Sequence, residues 1–161
     1  MLFQQEIIVI LSGAAPISEV RGAIPLGILL FGMPPLKTYL LSVLGNLLPV
    51  VPLLFFLERF SLFSMRRFYF MNRFLSWLFE YTRSRHSDHF HYWGWAPVAL
   101  FVFVAIPLPL TGAWSGALVA FIFGVPLRRA SLIIFLGIVS AAAVVLATTL
   151  FGITIFNSVF L

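Results

Sequence analysis

The apolar residues of this chain form runs of two distinct lengths, and these lengths limit the folds open to it. Residues 38–57 and 130–150 each form a run of about 20, which as a helix crosses the roughly 30 Å core of a bilayer. Four shorter runs have about 10–12 residues and reach only about half as far, at 3–14, 22–31, 95–106 and 112–123. Such short runs are typical of re-entrant or buried segments.

The composition indicates that the chain is embedded in lipid. Hydrophobic residues make up 61% and charged residues 9%, whereas soluble domains have about 45–50% apolar and about 25% charged residues. The runs are continuous and do not alternate as in a barrel, so helices satisfy the backbone. We therefore predict an all-α integral membrane protein whose first partner is the lipid bilayer.

The chain carries a weak internal duplication, displaced by about 92 residues. GMP at residues 32–34 recurs as GVP at 124–126, and Gly45 falls on Gly137. Each copy begins with a proline-rich interruption. Paired broken segments in matching positions of two halves are typical of transporters with a site at mid-membrane.

We pair the short runs into two hairpins, with turns at residues 16–21 and 107–111, because prolines disfavour helix before them. Counting crossings then gives two inverted repeats, each a re-entrant helical hairpin plus one transmembrane helix. The boundaries of the single membrane domain are repeat one 1–57, an amphipathic linker 58–94, repeat two 95–150 and a tail 151–161. The alternative fuses each hairpin into one kinked span and gives four helices.

Positive charge is concentrated on one face of this topology. Eight of the ten Lys and Arg residues fall there: Arg59, Arg66, Arg67, Arg73, Arg83, Arg85, Arg128 and Arg129. By the positive-inside rule the linker is cytoplasmic and the termini lie outside. We expect the membrane to be the bacterial inner membrane. This explains the high pI without a nucleic-acid partner.

Residues 58–81 of the linker read as a basic amphipathic helix on the anionic cytoplasmic surface. Arg59, Arg66, Arg73 and Glu80 recur every seven residues on one face. The alternative is that this segment is only an anchor and a topology signal.

Glu19 and Arg21, in the first turn, are the strongest functional signal. A charge at mid-membrane costs about 2.5–3.5 kcal/mol or more, so it is usually paired or functional. Residues i and i+2 point apart on a helix and share a face in an extended turn, so we expect the two to pair only if the turn is not helical. Arg21 would hold an anionic headgroup and Glu19 would carry a proton. The alternative is a structural ion pair.

Four neutral residues complete the candidate substrate and proton site: Ser18, Asn46, Thr111 and Trp114. Thr111 takes the place of Glu19 in the duplicated frame and is expected to cap the following half-helix. Asn46 is expected to hydrogen-bond a hairpin tip, or to make a generic interhelical bond. Small residues at 112, 115 and 116 are read as close helix packing.

Enzymatic and metal chemistry find little support. There is no cysteine, no Gly-rich phosphate loop and no His-Glu-x-x-His. A polar cluster is read as an interfacial loop, not as a metal site; its members are His86, Asp88, His89 and His91. We therefore expect no metal, no cofactor and no catalytic residue.

Three motifs resemble a known family. They are PISEVRGAIP at residues 16–25, GN at 45–46 and IPLPLTGAW at 106–114. They look like the putative small multidrug export protein family over nearly the whole chain, and that name implies export. More distantly, the chain is similar to the DedA/VTT superfamily. The members of that superfamily have two re-entrant hairpins with charged tips, and some are implicated in proton-dependent lipid transport or flipping.

The resemblance carries over residue by residue only to Glu19 and Arg21. The second DedA-type hairpin is expected to bring essential arginines, and here the turn at 107–111 brings none, since Arg128 and Arg129 lie further along the chain.

These observations favour a small transporter or flippase-like homodimer. It would move an amphipathic or lipid-like, anionic substrate, with proton coupling through Glu19. The alternative is a membrane scaffold or assembly partner that transports nothing. An intramembrane enzyme ranks third, because a second catalytic group at depth is missing.

Overall fold

The computed structural model describes residues 2–67, 95–108 and 111–160, and every regular element within them is a helix. The elements in chain order are α1 (Leu2–Ala14), α2 (Glu19–Pro25), a π-helical segment (Leu26–Leu30), α3 (Pro35–Leu47), α4 (Val50–Arg67), α5 (Trp95–Ala105), α6 (Ala113–Ile122) and α7 (Leu127–Phe160).

In the described part of the chain, two stretches are long and apolar enough to cross a membrane, Pro35–Arg59 and Leu127–Val159. The first joins α3 to the start of α4, and a two-residue turn at Leu48 and Pro49 separates them. Proline has no N–H to donate, so the helix is interrupted at this point. The second, α7, has 34 residues and is about 51 Å long, well beyond the predicted range of 130–150.

The short apolar runs form short helices. The predicted runs 3–14 and 112–123 become α1 and α6, with ends shifted by a residue. The run at 22–31 starts earlier, at Glu19, and changes to π-helical geometry directly after Pro25. Proline inside a helix removes one hydrogen bond, and a π turn is one way to accommodate that loss.

In each half the first short helix packs closely on the long third helix. A Cβ on Gly45 of α3 would meet the carbonyl of Ile10 in α1, and one on Gly137 of α7 would lie 2.7 Å from the Cβ of Val104 in α5. Glycine permits this close approach. Gly45 and Gly137 are the residues that the duplication places in register, so this packing is repeated in the two halves.

The helices α1 and α3 run in the same direction. Glu6 near the start of α1 pairs with Lys37 at the start of α3, while Ile10 lies against Gly45 further along both helices. The chain therefore reverses twice between them, through α2 and the π segment, as a helical hairpin requires.

The two halves share one hydrophobic core. Ile24 of α2 lies in it with Ala113 of α6 and Ile134 and Ile138 of α7, each at most 1% exposed. The hydroxyl of Tyr39 in α3 donates to the carbonyl of Val139 in α7 at 3.1 Å. Burial of side chains from both halves in one cluster stabilises a single bundle.

The linker is described only in part. The helix α4 covers residues up to Arg67, and the Arg59 guanidinium lies 5.4 Å from the centroid of the Phe55 ring. The remainder of the predicted amphipathic helix and the cluster at residues 86–91 lie outside the described residues.

Cysteine labelling can decide between inverted repeats and the four-helix alternative. Leu36 and Arg128 are exposed, start the third helix of each half and match in the duplicated frame. If each hairpin is re-entrant, cysteines at 36 and 128 will react with an impermeant maleimide from opposite faces of oriented vesicles.

Because the natural sequence contains no cysteine, each labelling signal comes from the introduced cysteine. Cysteines at 36 and 128 that label from the same face would instead establish four kinked spans.

Candidate functional site

The first turn, at residues 15–18, is held to the end of α1 and presents Glu19 in an unusual backbone conformation. The Ser18 hydroxyl donates to the Ser12 carbonyl, and the Ser12 hydroxyl lies 3.2 Å from that of Ser18. Glu19, the first residue of α2, has φ +47° and is the single non-glycine residue with positive φ in the described part of the chain. Such a conformation costs about 1–3 kcal/mol and persists where surrounding contacts enforce it.

The Glu19 carboxylate lies buried between the two halves, 5% exposed. It accepts a hydrogen bond from Arg21 Nη2 at 3.1 Å and further bonds from the backbone N–H groups of Ala113 and Trp114. These N–H groups open α6, whose own N-cap residue provides no side-chain bond. Glu19 therefore caps a helix of the other half, where the helix dipole favours negative charge.

Gly112 makes room for this carboxylate. A Cβ at position 112 would lie 2.6 Å from the carboxyl carbon of Glu19 and closer still to its oxygens. The missing side chain is thus a condition for the contact between the halves.

Arg21 links the same two turns through a second bond. Its Nη1 donates to the carbonyl of Leu108, while Nη2 holds Glu19. The Arg21 side chain is 24% exposed, so the guanidinium bridges the turns and still reaches the surface of the protein. A planar fork of donors suits this double role.

Trp114 supplies a third link, in the reverse direction. Its indole Nε1 donates to the carbonyl of Ala14, the last residue of α1, at 3.1 Å. We call the set formed by Glu19, Arg21, Leu108, Ala113 and Trp114 the junction.

The prediction that Thr111 caps α6 is wrong. The Thr111 hydroxyl donates within its own turn, to the carbonyls of Ile106 at 2.7 Å and Leu108 at 2.9 Å, and accepts from the Leu108 N–H at 3.1 Å. Residue 112, not 111, is the N-cap, and the capping group comes from Glu19. Thr111 instead fixes the carbonyl that Arg21 binds.

The prediction that Glu19 and Arg21 pair only in a non-helical turn is also wrong. Both residues lie in α2, and they still form an ion pair. The positive φ of Glu19 turns its side chain out of the regular helical direction, so the rule for i and i+2 does not apply there.

Asn46 does not join the junction. Within the described residues its side chain hydrogen-bonds neither turn, and its Oδ1, although buried, has no partner. The structure thus brings Ser18, Glu19, Arg21, Thr111 and Trp114 to one place and leaves Asn46 apart.

Sequence reasoning misses the main-chain donors of Ala113 and Trp114. The available signal is the glycine at 112 directly before a helix, a place where an anion binds readily to a helix N-terminus. In chemical terms, the junction is a small set of hydrogen-bond donors, a guanidinium and two main-chain N–H groups, that bind the carboxylate of Glu19.

Comparison with known proteins gives one match. A family model described as putative small multi-drug export protein matches residues 19–144, a stretch that starts at Glu19 and includes the second turn. No characterised protein and no solved structure matches the chain significantly.

A double-mutant cycle tests the contact between Gly112 and Glu19. Gly112→Ala should lower the free energy of unfolding by about 1–3 kcal/mol, since its Cβ overlaps the carboxylate. In a Glu19→Ala background the same substitution should cost clearly less. Unfolding in detergent, followed by circular dichroism, measures each step.

Gly152→Ala in α7 is the matched control, because an added Cβ there meets nothing within 4 Å. An equal cost of Gly112→Ala in both backgrounds would mean that the Cβ does not meet the carboxylate.

Proposed function

This chain belongs to the putative small multi-drug export protein family, and on that premise we propose that it is a small transporter or flippase-like protein. The family description indicates export, which is transport in general terms, and the two long apolar helices agree with a membrane protein. Our proposal adds the substrate, an amphipathic or lipid-like anion, and proton coupling through Glu19. It places a homodimer in the bacterial cytoplasmic membrane.

One observation carries the proposal: the only charges of the two turns, Glu19 and Arg21, meet the second half of the chain at a buried place. A buried ion pair is weak evidence for stability, because desolvation of both charges offsets much of their attraction. Charged groups placed within a membrane protein are instead a default indication of a transport pathway.

The geometry supports a simple exchange. The Glu19 carboxylate occupies the donors that an anionic headgroup needs, the Arg21 guanidinium and the two N–H groups that open α6. When Glu19 takes up a proton, it loses its charge and these donors become available to the substrate anion. Loss of the proton on the other side of the membrane would return Glu19 to the donors and expel the substrate.

The repeated packing in the two halves supports alternating access. In this proposal the halves are inverted repeats with re-entrant hairpins, and they rock about the junction between their turns. The three links of the junction would then break and reform in each cycle.

The rival function is a scaffold, in which the junction is a permanent clamp. It is favoured by the fact that the Glu19 carboxylate, Arg21 and the Trp114 indole N–H each already have a protein partner. The two functions differ in whether the purified protein moves anything.

A lipid-flipping assay in proteoliposomes separates them. We expect the purified protein to speed the exposure of fluorescent phosphatidylglycerol to external dithionite, and to act much less on fluorescent phosphatidylcholine, whose headgroup has no net charge. Glu19→Gln and Arg21→Gln should lower the phosphatidylglycerol rate about tenfold or more, equal to about 1.4 kcal/mol.

Glu6→Gln is the matched control, because Glu6 is also paired with a cation, Lys37, but at the far end of α1. Its rate should equal that of the unaltered protein. Phosphatidylglycerol exposure no faster than in protein-free vesicles, or full activity of a folded Glu19→Gln protein, would contradict the proposal.

A further inference from the structure

One face of α3 carries a row of buried polar side chains that the junction does not use. Thr38, Ser42 and Asn46 follow each other at intervals of four residues, so they lie on one face of the helix. Their exposures are 0%, 0% and 1%. In a helix whose other residues are mostly apolar, such a row requires a physical reason.

Among the residues that the structure describes, two oxygens of this row find no hydrogen-bond partner, Ser42 Oγ and Asn46 Oδ1. The contrast with other helical hydroxyls is clear: those of Thr38, Ser131 and Ser140 donate to the carbonyl four residues earlier. An unsatisfied buried polar group costs about 1–3 kcal/mol. A ligand that binds both oxygens would remove this cost.

The neighbouring helix α1 packs its main chain directly against this part of α3. A Cβ on Gly13 of α1 would lie 2.7 Å from the main-chain carbonyl oxygen of Ser42 and 3.3 Å from the main-chain nitrogen of Asn46. No side chain at position 13 can therefore compete for Ser42 or Asn46.

The local electrostatics favour a cation. The helix α1 ends at Ala14 and α3 ends at Leu47, so two negative helix ends lie side by side. In addition, Pro49 has no N–H and cannot donate the regular helical bond to the carbonyl of Gly45. A third oxygen is thus left without its usual donor within one turn of Ser42 and Asn46.

We propose that Ser42 Oγ, Asn46 Oδ1 and the Gly45 carbonyl bind a sodium ion. The ligands are all oxygens, which a hard cation prefers, and none of the three is charged. A divalent ion would need carboxylates. Unwound carbonyls and helix C-terminal ends are the groups with which transporters hold such ions.

This sodium site lies next to the junction and rests on the proposed transport function for its role. Gly13 packs against the main chain of Ser42 and Asn46, and the following residue, Ala14, accepts the bond from Trp114. A displacement of the end of α1 would therefore alter both the sodium site and the junction. In this proposal sodium is a second coupling ion in addition to the proton.

Sodium binding can be measured without any transport assay. We expect the melting temperature of the purified protein to rise with NaCl and to saturate, whereas equimolar choline chloride has little effect. Ser42→Ala and Asn46→Leu should each raise the apparent Kd for sodium about tenfold or more. Because they remove unsatisfied polar groups, neither variant should melt lower in choline chloride.

Thr38→Val is the matched control, since Thr38 lies on the same face but its hydroxyl already has a partner. It should keep the sodium effect. A melting temperature that does not respond to sodium would overturn the proposal and assign the oxygens to a buried water molecule. An unchanged sodium effect in the Ser42→Ala, Asn46→Leu double variant would also overturn it.

Failure here is distinct from failure of the transport proposal. A protein that binds sodium but moves no lipid would keep the site and lose the transporter. A protein that moves lipid but does not respond to sodium would keep the transport function and lose the sodium site.

Discussion

The need to satisfy one buried carboxylate holds the two halves of this protein together. Glu19 lies almost completely out of solvent, and removing a partner from such a group costs about 3–5 kcal/mol in other proteins. Its partners come from both halves, a guanidinium from the first turn and main-chain N–H groups from the second. Neither turn is satisfied alone, because the first would leave a buried carboxylate without its main-chain donors and the second would leave the start of α6 uncapped. The arrangement of α2, α6 and α7 around the shared core follows from bringing these turns together.

The two turns contribute different things to this contact. The first contributes charge, and it holds Glu19 in a left-handed conformation that few residues other than glycine adopt. The second contributes shape: a glycine at 112, a carbonyl fixed by Thr111 and the first N–H groups of a helix. In the transport proposal, substrate and Glu19 compete for the same donors, and the structure with Glu19 bound to them is the closed state.

The sequence is most informative where the physics is local. Run lengths and prolines predict α1, α6 and the existence of two turns, because helix length and the missing proline N–H depend on nearby residues alone. The pairing of Glu19 with Arg21 is predicted too, but its geometry is not, since a positive φ at a glutamate is imposed by contacts from the other half. The sequence assigns the cap of α6 to Thr111 for a similar reason, because Thr111 is close in sequence to the start of the helix. A cap from Glu19, about 90 positions away, cannot be recognised without the fold. The unpaired oxygens of Ser42 and Asn46 are equally invisible until α1 is placed beside them.

The use of main-chain donors by the second turn has an evolutionary consequence. A backbone N–H is present at residues 113 and 114 with any side chain except that of proline. Mutation can therefore change residue 113 among other small side chains without removing this hydrogen-bond donor of Glu19. Selection would then act on the absence of a side chain at 112 and on the acid and base of the first turn. In the proposed inverted repeat, the two halves would thereby diverge in charge while keeping similar helices. Selection of this kind would leave only scattered sequence identity between them.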